Sequence, residues 1–155
     1  MSFEALPRLD PMILEATPFL NFSGTCSHAI ELYQAALDAE VEARVGWEPA
    51  MFDDGKVPDT MTDGVMYARL LMGKVPLEMS DVPPHVSVTA GSNHTVNLHL
   101  TDPDELDRRF AILAEGGTVS LPPENMFWGA RFATLVDRFG ISWSLHCQLT
   151  DPSAG

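Results

Sequence analysis

From Glu15 the chain alternates. Ala16, Pro18, Leu20 and Phe22 fall on one side and Thr17, Phe19 and Asn21 on the other, which predicts a strand with one buried face. Pro18 has no N–H to give a ladder, so it belongs at the start or edge of that strand. Ser23-Gly24-Thr25 reads as a turn, and Ala29, Ile30, Tyr33, Ala36 and Leu37 then recur at three and four spacings, as on a helix that buries one face. A second strand is predicted over about 41–47 and a hairpin over 66–80, turning at Gly73-Lys74.

The same order returns in the second half. Val96, Leu98 and Leu100 oppose Thr95, Asn97, His99 and Thr101, as on a strand. Asp102-Pro103-Asp104-Glu105 is a helix start: Asp102 can cap, Pro103 suits the first helical position, and Glu105 sits at the third. Leu106, Phe110, Leu113 and Ala114 supply the buried face, and Gly116-Gly117 ends the helix. A hairpin over 131–147 turns at Asp137-Arg138-Phe139-Gly140.

Leu20 aligns with Leu98, Tyr33 with Phe110, Ala68 with Ala133 and Glu78 with Ser144, so the chain reads as an internal duplication. The predicted domain spans 12–150, with a first module at about 12–81, a Pro-containing linker at 82–92 and a second module at about 93–148. The Gly-, Pro- and Asp-rich stretch 48–63 has no counterpart in the second half. It is either a lid over a site or a tolerated insertion.

Composition narrows the function classes. With 45% hydrophobic and 20% charged residues, 155 residues make one globular domain with a sizeable core. A formal charge of -13 repels phosphate backbones and anionic lipid head groups, which argues against nucleic acid and membrane surfaces as partners. Cys26 and Cys147 cannot form a disulfide framework, no apolar run is long enough to span a bilayer, and the first residues lack the basic start and apolar stretch of a signal peptide. A cytoplasmic protein is expected.

The segment from Phe127-Trp128-Gly129-Ala130-Arg131 through Asp137-Arg138-Phe139-Gly140 to Trp143 resembles the C-terminal signature of PhnB-like proteins of the vicinal-oxygen-chelate superfamily, which includes glyoxalases, bleomycin-resistance proteins and extradiol dioxygenases. Pro18-Phe19-Leu20-Asn21-Phe22 with Gly24, Ala29 and Tyr33 looks like the first strand and helix of that family, and Ala114-Glu115-Gly116-Gly117 also fits. The resemblance implies an α+β fold: two βαβββ modules forming a curved eight-stranded mixed sheet around a cleft, in a homodimer. No glycine-rich nucleotide loop follows a strand, so the methyltransferase label often attached to such sequences finds no support.

In metal-dependent members each module supplies one ligand from its first strand and one from its last. Carried over, those positions are Thr17, Glu78, Thr95 and Ser144, and only Glu78 is a good ligand. No cofactor is therefore expected, beyond a divalent metal weakly held through Glu78. Strand alternation assigns Thr17, Phe19, Asn21, Glu78, Ser80, Thr95, Asn97, His99, Ser142, Ser144 and His146 to the faces turned away from the helices. Trp47, Phe52 and Trp128 are candidate aromatic walls, and the set suits a small organic ligand.

Thr17, Phe19, Asn21, Thr95, Asn97, Trp128 and Ser144 are the expected ligand-binding residues, and Glu78, His99 and His146 the expected catalytic ones. Glu78, flanked by apolar Val75, Leu77 and Met79, is partly desolvated and suited to general-base work, unless Arg69 or Arg131 claims it as an ion pair. His99 and His146 are proton relays, adventitious metal ligands with Glu78, or structural residues. Tyr67 stands where many PhnB-like sequences have His.

Overall fold

The computed structural model describes residues 12–149. Its elements run β1 (Phe19–Phe22), α1 (Cys26–Leu37), β2 (Glu40–Gly46), β3 (Val65–Met72), β4 (Val75–Asp81), β5 (Val96–Leu100), α2 (Pro103–Leu113), β6 (Thr118–Asn125), β7 (Ala130–Val136) and β8 (Ser142–Gln148). This is βαβββ twice. The eight strands divide into two four-stranded mixed sheets, ordered β1-β4-β3-β2 and β5-β8-β7-β6. In each, the first strand pairs parallel to the last and the other pairs are antiparallel.

The registers agree with the duplication. Met79 lies between Leu20 and Ala68, and Leu145 between Leu98 and Ala133. On the opposite face Glu78 lies between Phe19 and Arg69, as Ser144 lies between Asn97 and Thr134. Both ladders begin later than alternation suggests, at Phe19 and Val96, which leaves Thr17 and Thr95 just ahead of their strands. At β1 the cause is Pro18, which lacks a donor, although its carbonyl still accepts from the Glu78 N–H at 3.0 Å.

Helix starts are fixed by carboxylates. Asp102 caps α2 through the Asp104 and Glu105 N–H groups at 2.8 and 3.4 Å. Thr25 makes no side-chain cap on α1. There the buried Asp81, at the end of β4, accepts from the N–H groups of Gly24 (2.9 Å) and Cys26 (3.0 Å), and also from that of Val65 on β3 (2.9 Å).

One core runs through both modules. Tyr33 of α1 and Trp143 of β8 are fully buried and meet edge to face, ring centres 5.2 Å apart. Asp137 explains the Asp-x-Phe-Gly motif. Its buried carboxylate accepts from the Phe139 and Ile141 N–H groups at 2.9 and 3.1 Å, closing the turn that Gly140 completes at φ 89°. It also accepts from the Tyr33 hydroxyl at 2.6 Å and the Trp143 indole N–H at 2.9 Å.

Gly116 ends the helical region in the left-handed conformation, φ 72°. Gly117 has a different duty, because a Cβ there would lie 2.3 Å from the Val136 carbonyl oxygen and 3.0 Å from Asp137 Cα. Arg109 of α2 joins the modules as well, donating to the Ala36 carbonyl at 3.1 Å and to Asp38 at 2.8 Å at the end of α1, where a cation is favoured.

Candidate functional site

The predicted site residues gather in three places. The open face of the first sheet carries Glu78, half-buried, with Tyr67 and Arg69 from β3 and Phe19 from β1. The Tyr67 hydroxyl donates a short hydrogen bond to Glu78 Oε2, and Arg69 Nη1 lies 3.6 Å from Glu78 Oε1. Of the two arginines considered for Glu78, Arg69 is the one beside it; Arg131 instead binds Asp107 at 2.7 and 3.0 Å and Asn125 at 2.9 Å.

Arg69 also binds Glu15 and Glu42 and so gathers three carboxylates. Its hydrogen bond to Glu15 holds that exposed carboxyl below the usual value. The Phe19 and Tyr67 rings lie 6.3 Å apart, closing the apolar side of the group. Tyr67 and Arg69 are the neighbours of Glu78 that alternation alone did not single out for this face.

The second place is the open face of the other sheet. Ser144 Oγ donates to Asn97 Oδ1 at 2.6 Å, and Asn97 Nδ2 lies 3.0 Å from His99 Nε2. His99 and His146 are direct partners in the β5–β8 ladder, with ring centres 5.1 Å apart. From His146 a ladder of rings continues to Phe132 (6.4 Å), Trp128 (6.0 Å) and Phe127 (5.0 Å). Phe127 at its end is 97% exposed and Trp128 47%.

The third place is a cavity of about 390 Å³ between the β1 edge, the linker and the start of β5, lined by Phe19, Asn21, Thr95, Val86, His94 and Ser142 among others. Glu78, Asn97, Ser144, His99, His146 and Trp128 are not among its lining residues. Trp47 and Phe52 pair at 5.9 Å elsewhere, with Trp47 packed over Gly64 beside a smaller hollow of about 210 Å³. Trp143, Leu145 and Cys147 belong to the core.

The superfamily's four ligand positions do not suit a metal in this chain. Thr17 and Thr95 offer neutral hydroxyls, the Ser144 hydroxyl is engaged with Asn97, and the Glu78 carboxylate is engaged with Tyr67 and faces Arg69. Among the described residues no three His, Cys, Asp or Glu side chains are grouped so as to hold a metal ion.

Both tyrosines of the chain hold their protons strongly. Burial, and then the neighbouring Asp137 carboxylate, raise the Tyr33 phenol well above its ordinary 10.0. The hydrogen bond to Glu78, and then burial, raise that of Tyr67. A raised folded value means that the stability from these protonated phenols is fully present below pH about 10 and is lost as pH rises through the raised values. Phenolate absorbance of the folded protein is therefore expected to appear at higher pH than for free tyrosine, which a spectrophotometric titration of the folded protein checks. A normal two-phenol titration of folded protein would contradict these contacts. Burial also pushes the Cys26 thiol up to about 12, which leaves it inert as a nucleophile.

Residues 19–145 match the glyoxalase/bleomycin resistance protein/dioxygenase superfamily. The chain belongs to this superfamily. Among solved structures, protein PA1353 from Pseudomonas aeruginosa is 32% identical with a TM-score of 0.75, the match covering 88% of this chain and 98% of that one. A PhnB protein from Bacillus cereus shares the fold at 22% identity and a TM-score of 0.69, covering 86% and 98%. Protein YjdN of Escherichia coli strain K12 is 28% identical over 147 residues, 88% of this chain and 97% of its own. The superfamily's repeated βαβββ plan is the arrangement described above, and among the described residues no helix is long and apolar enough to cross a membrane.

Proposed function

We propose that this superfamily member binds and sequesters or senses a small, planar organic ligand, seated on the open face of the second sheet. The observation that carries this reading is the ring ladder Trp128–Phe132–His146–His99 running beside the hydrogen-bonding pair Asn97 and Ser144. Rings meeting edge to face supply apolar contact area, and a few fixed polar groups set orientation, as binding sites for small molecules require. Asn21, Phe19 and Thr95 line the separate cavity and are expected to bind a ligand there rather than on this face. A homodimer fits this reading, because the exposed Phe127–Trp128 tip gains most by burial against a second copy.

The alternative is a lyase- or isomerase-type enzyme with Glu78 as general base. The Tyr67–Glu78 contact favours it to this extent: a phenol hydrogen-bonded to a carboxylate can relay a proton, with Arg69 beside them to steady an anion. As the pair stands, however, Glu78 Oε2 already accepts the Tyr67 hydroxyl and Oε1 faces Arg69, both of which make the carboxylate a weaker base.

A panel of planar aromatic compounds, scored by thermal stabilisation of the full chain, separates the two. Saturable stabilisation that survives Glu78→Gln and falls at least tenfold in affinity in Trp128→Ala is the expected result. Turnover of any panel member that Glu78→Gln abolishes would instead establish the enzyme, and no stabilisation by any compound would remove the binding reading.

A further inference from the structure

We infer that His99 and His146 form a two-imidazole site for a late first-row divalent transition ion, of the Cu(II), Ni(II) or Zn(II) class, at positions distinct from the four that the superfamily uses. The two residues are direct partners on adjacent strands, and their side chains lie on the open face, His99 exposed and His146 half-buried. Their ring centres are 5.1 Å apart with the planes inclined at 57°. Two imidazoles bound to one ion at about 2.0–2.1 Å, at angles of roughly 90–110°, place their ring centres about 4.5–5.2 Å apart. The observed pair is already at that spacing.

The surroundings orient the ligand. His99 Nε2 is held by Asn97, which is in turn held by Ser144. This short chain can also run reversed: with the Asn97 amide turned over, its oxygen accepts from His99 Nε2–H and its nitrogen donates to Ser144 Oγ. In that state the Nδ1 lone pair of His99 is free for the ion while the far ring nitrogen is fixed by an amide oxygen, the usual outer support of a ligating histidine. The row holding these imidazoles is two residues beyond the Ser144 row along β8. The site draws nothing from Glu78, which lies on the other sheet and is engaged with Tyr67.

Imidazole nitrogens suit this class of ion, with copper bound most tightly of the divalent series, while Mg²⁺ and Ca²⁺ prefer oxygen donors. The chain's formal charge of -13 adds a long-range attraction for any cation. The ion and the organic ligand proposed above would share His99, His146 and Asn97, but the assignment rests on the imidazole spacing and not on that ligand.

The test uses the full chain, free of any histidine tag, and copper(II) iminodiacetate, a chelate that fills three positions and leaves two adjacent ones open. One equivalent is expected to bind, with the electron paramagnetic resonance signature of two imidazole nitrogens. His99→Ala and His146→Ala are each expected to weaken binding at least tenfold, and Asn97→Leu by about tenfold through lost support. His28→Ala, His85→Ala and His94→Ala are expected to leave it unchanged. Far-ultraviolet dichroism of each variant confirms the fold, which these open-face side chains do not carry. Unaltered binding by the His99→Ala/His146→Ala double variant would overturn the inference, as would loss of binding in His94→Ala alone.

Discussion

Replacing Asp137 with alanine is expected to cost the fold about 3–5 kcal/mol, read as a fall in unfolding free energy in denaturant or in thermal midpoint by roughly 10–15 °C. The carboxylate is 3% exposed and receives four donors. Its removal leaves the Tyr33 hydroxyl and the Trp143 indole N–H stranded in the core, at roughly 1–3 kcal/mol for each unsatisfied group. It also opens the turn between β7 and β8. Asp137→Asn is expected to fall between the parent chain and the alanine variant, since its amide oxygen still accepts while its NH₂ loses two donors on whichever side it takes. A loss below about 1 kcal/mol for the alanine variant would mean that these contacts do not hold the modules together.

Gly117→Ala is the second large effect, and it acts on the same joint from the other side. Added there, a methyl group meets the Val136 carbonyl oxygen at 2.3 Å and Asp137 Cα at 3.0 Å, and these are backbone atoms that no rotamer change can move aside. The start of β6 must separate from the end of β7, at about 3 kcal/mol or more, the upper end of overpacking costs. Gly46→Ala is the control, because its nearest obstacle is the Gly64 oxygen at 3.8 Å. It is expected to stay within about 0.5 kcal/mol of the parent chain, helped slightly by reduced freedom of the unfolded state. Equal stabilities for the two variants in a denaturant titration would rule out the close approach.

These two residues also show what could be read along the chain and what could not. The periods of two and near four, the Asp102-Pro103 helix start and the Gly116-Gly117 stop were legible because each depends on neighbours within a few residues, and they led to the strand, helix and hairpin of each half. The full βαβββ repeat came from the family resemblance, and β6 left no mark of its own in the pattern. The register of the duplication was legible too, since Leu20, Ala68, Leu98 and Ala133 mark the buried rows. The Asp-x-Phe-Gly motif was visible as a signature, but its reach to Tyr33 spans 104 positions and has no local trace.

The same limit applies to the site. The sequence placed Glu78 among apolar neighbours and offered Arg69 as a partner, yet the Tyr67–Glu78 bond crosses between strands and depends on their stagger. The exchange of the family's His for Tyr67 was the one available hint. The division of the polar set into separate clusters, with Glu78 on one sheet and His99 and His146 on the other, follows from the split into two sheets and was not predictable from alternation within a strand.

The single carboxylate that joins Tyr33 to Trp143 also sets an order of events during synthesis. Chains emerge from the ribosome N-terminus first, and early domains usually settle while later ones are still being made. Here the first helix presents a buried hydroxyl whose acceptor is translated 104 residues later, and an aromatic neighbour later still. The acceptor and the aromatic partner that bury Tyr33 in the first module therefore arrive only with Asp137 and Trp143 of the second.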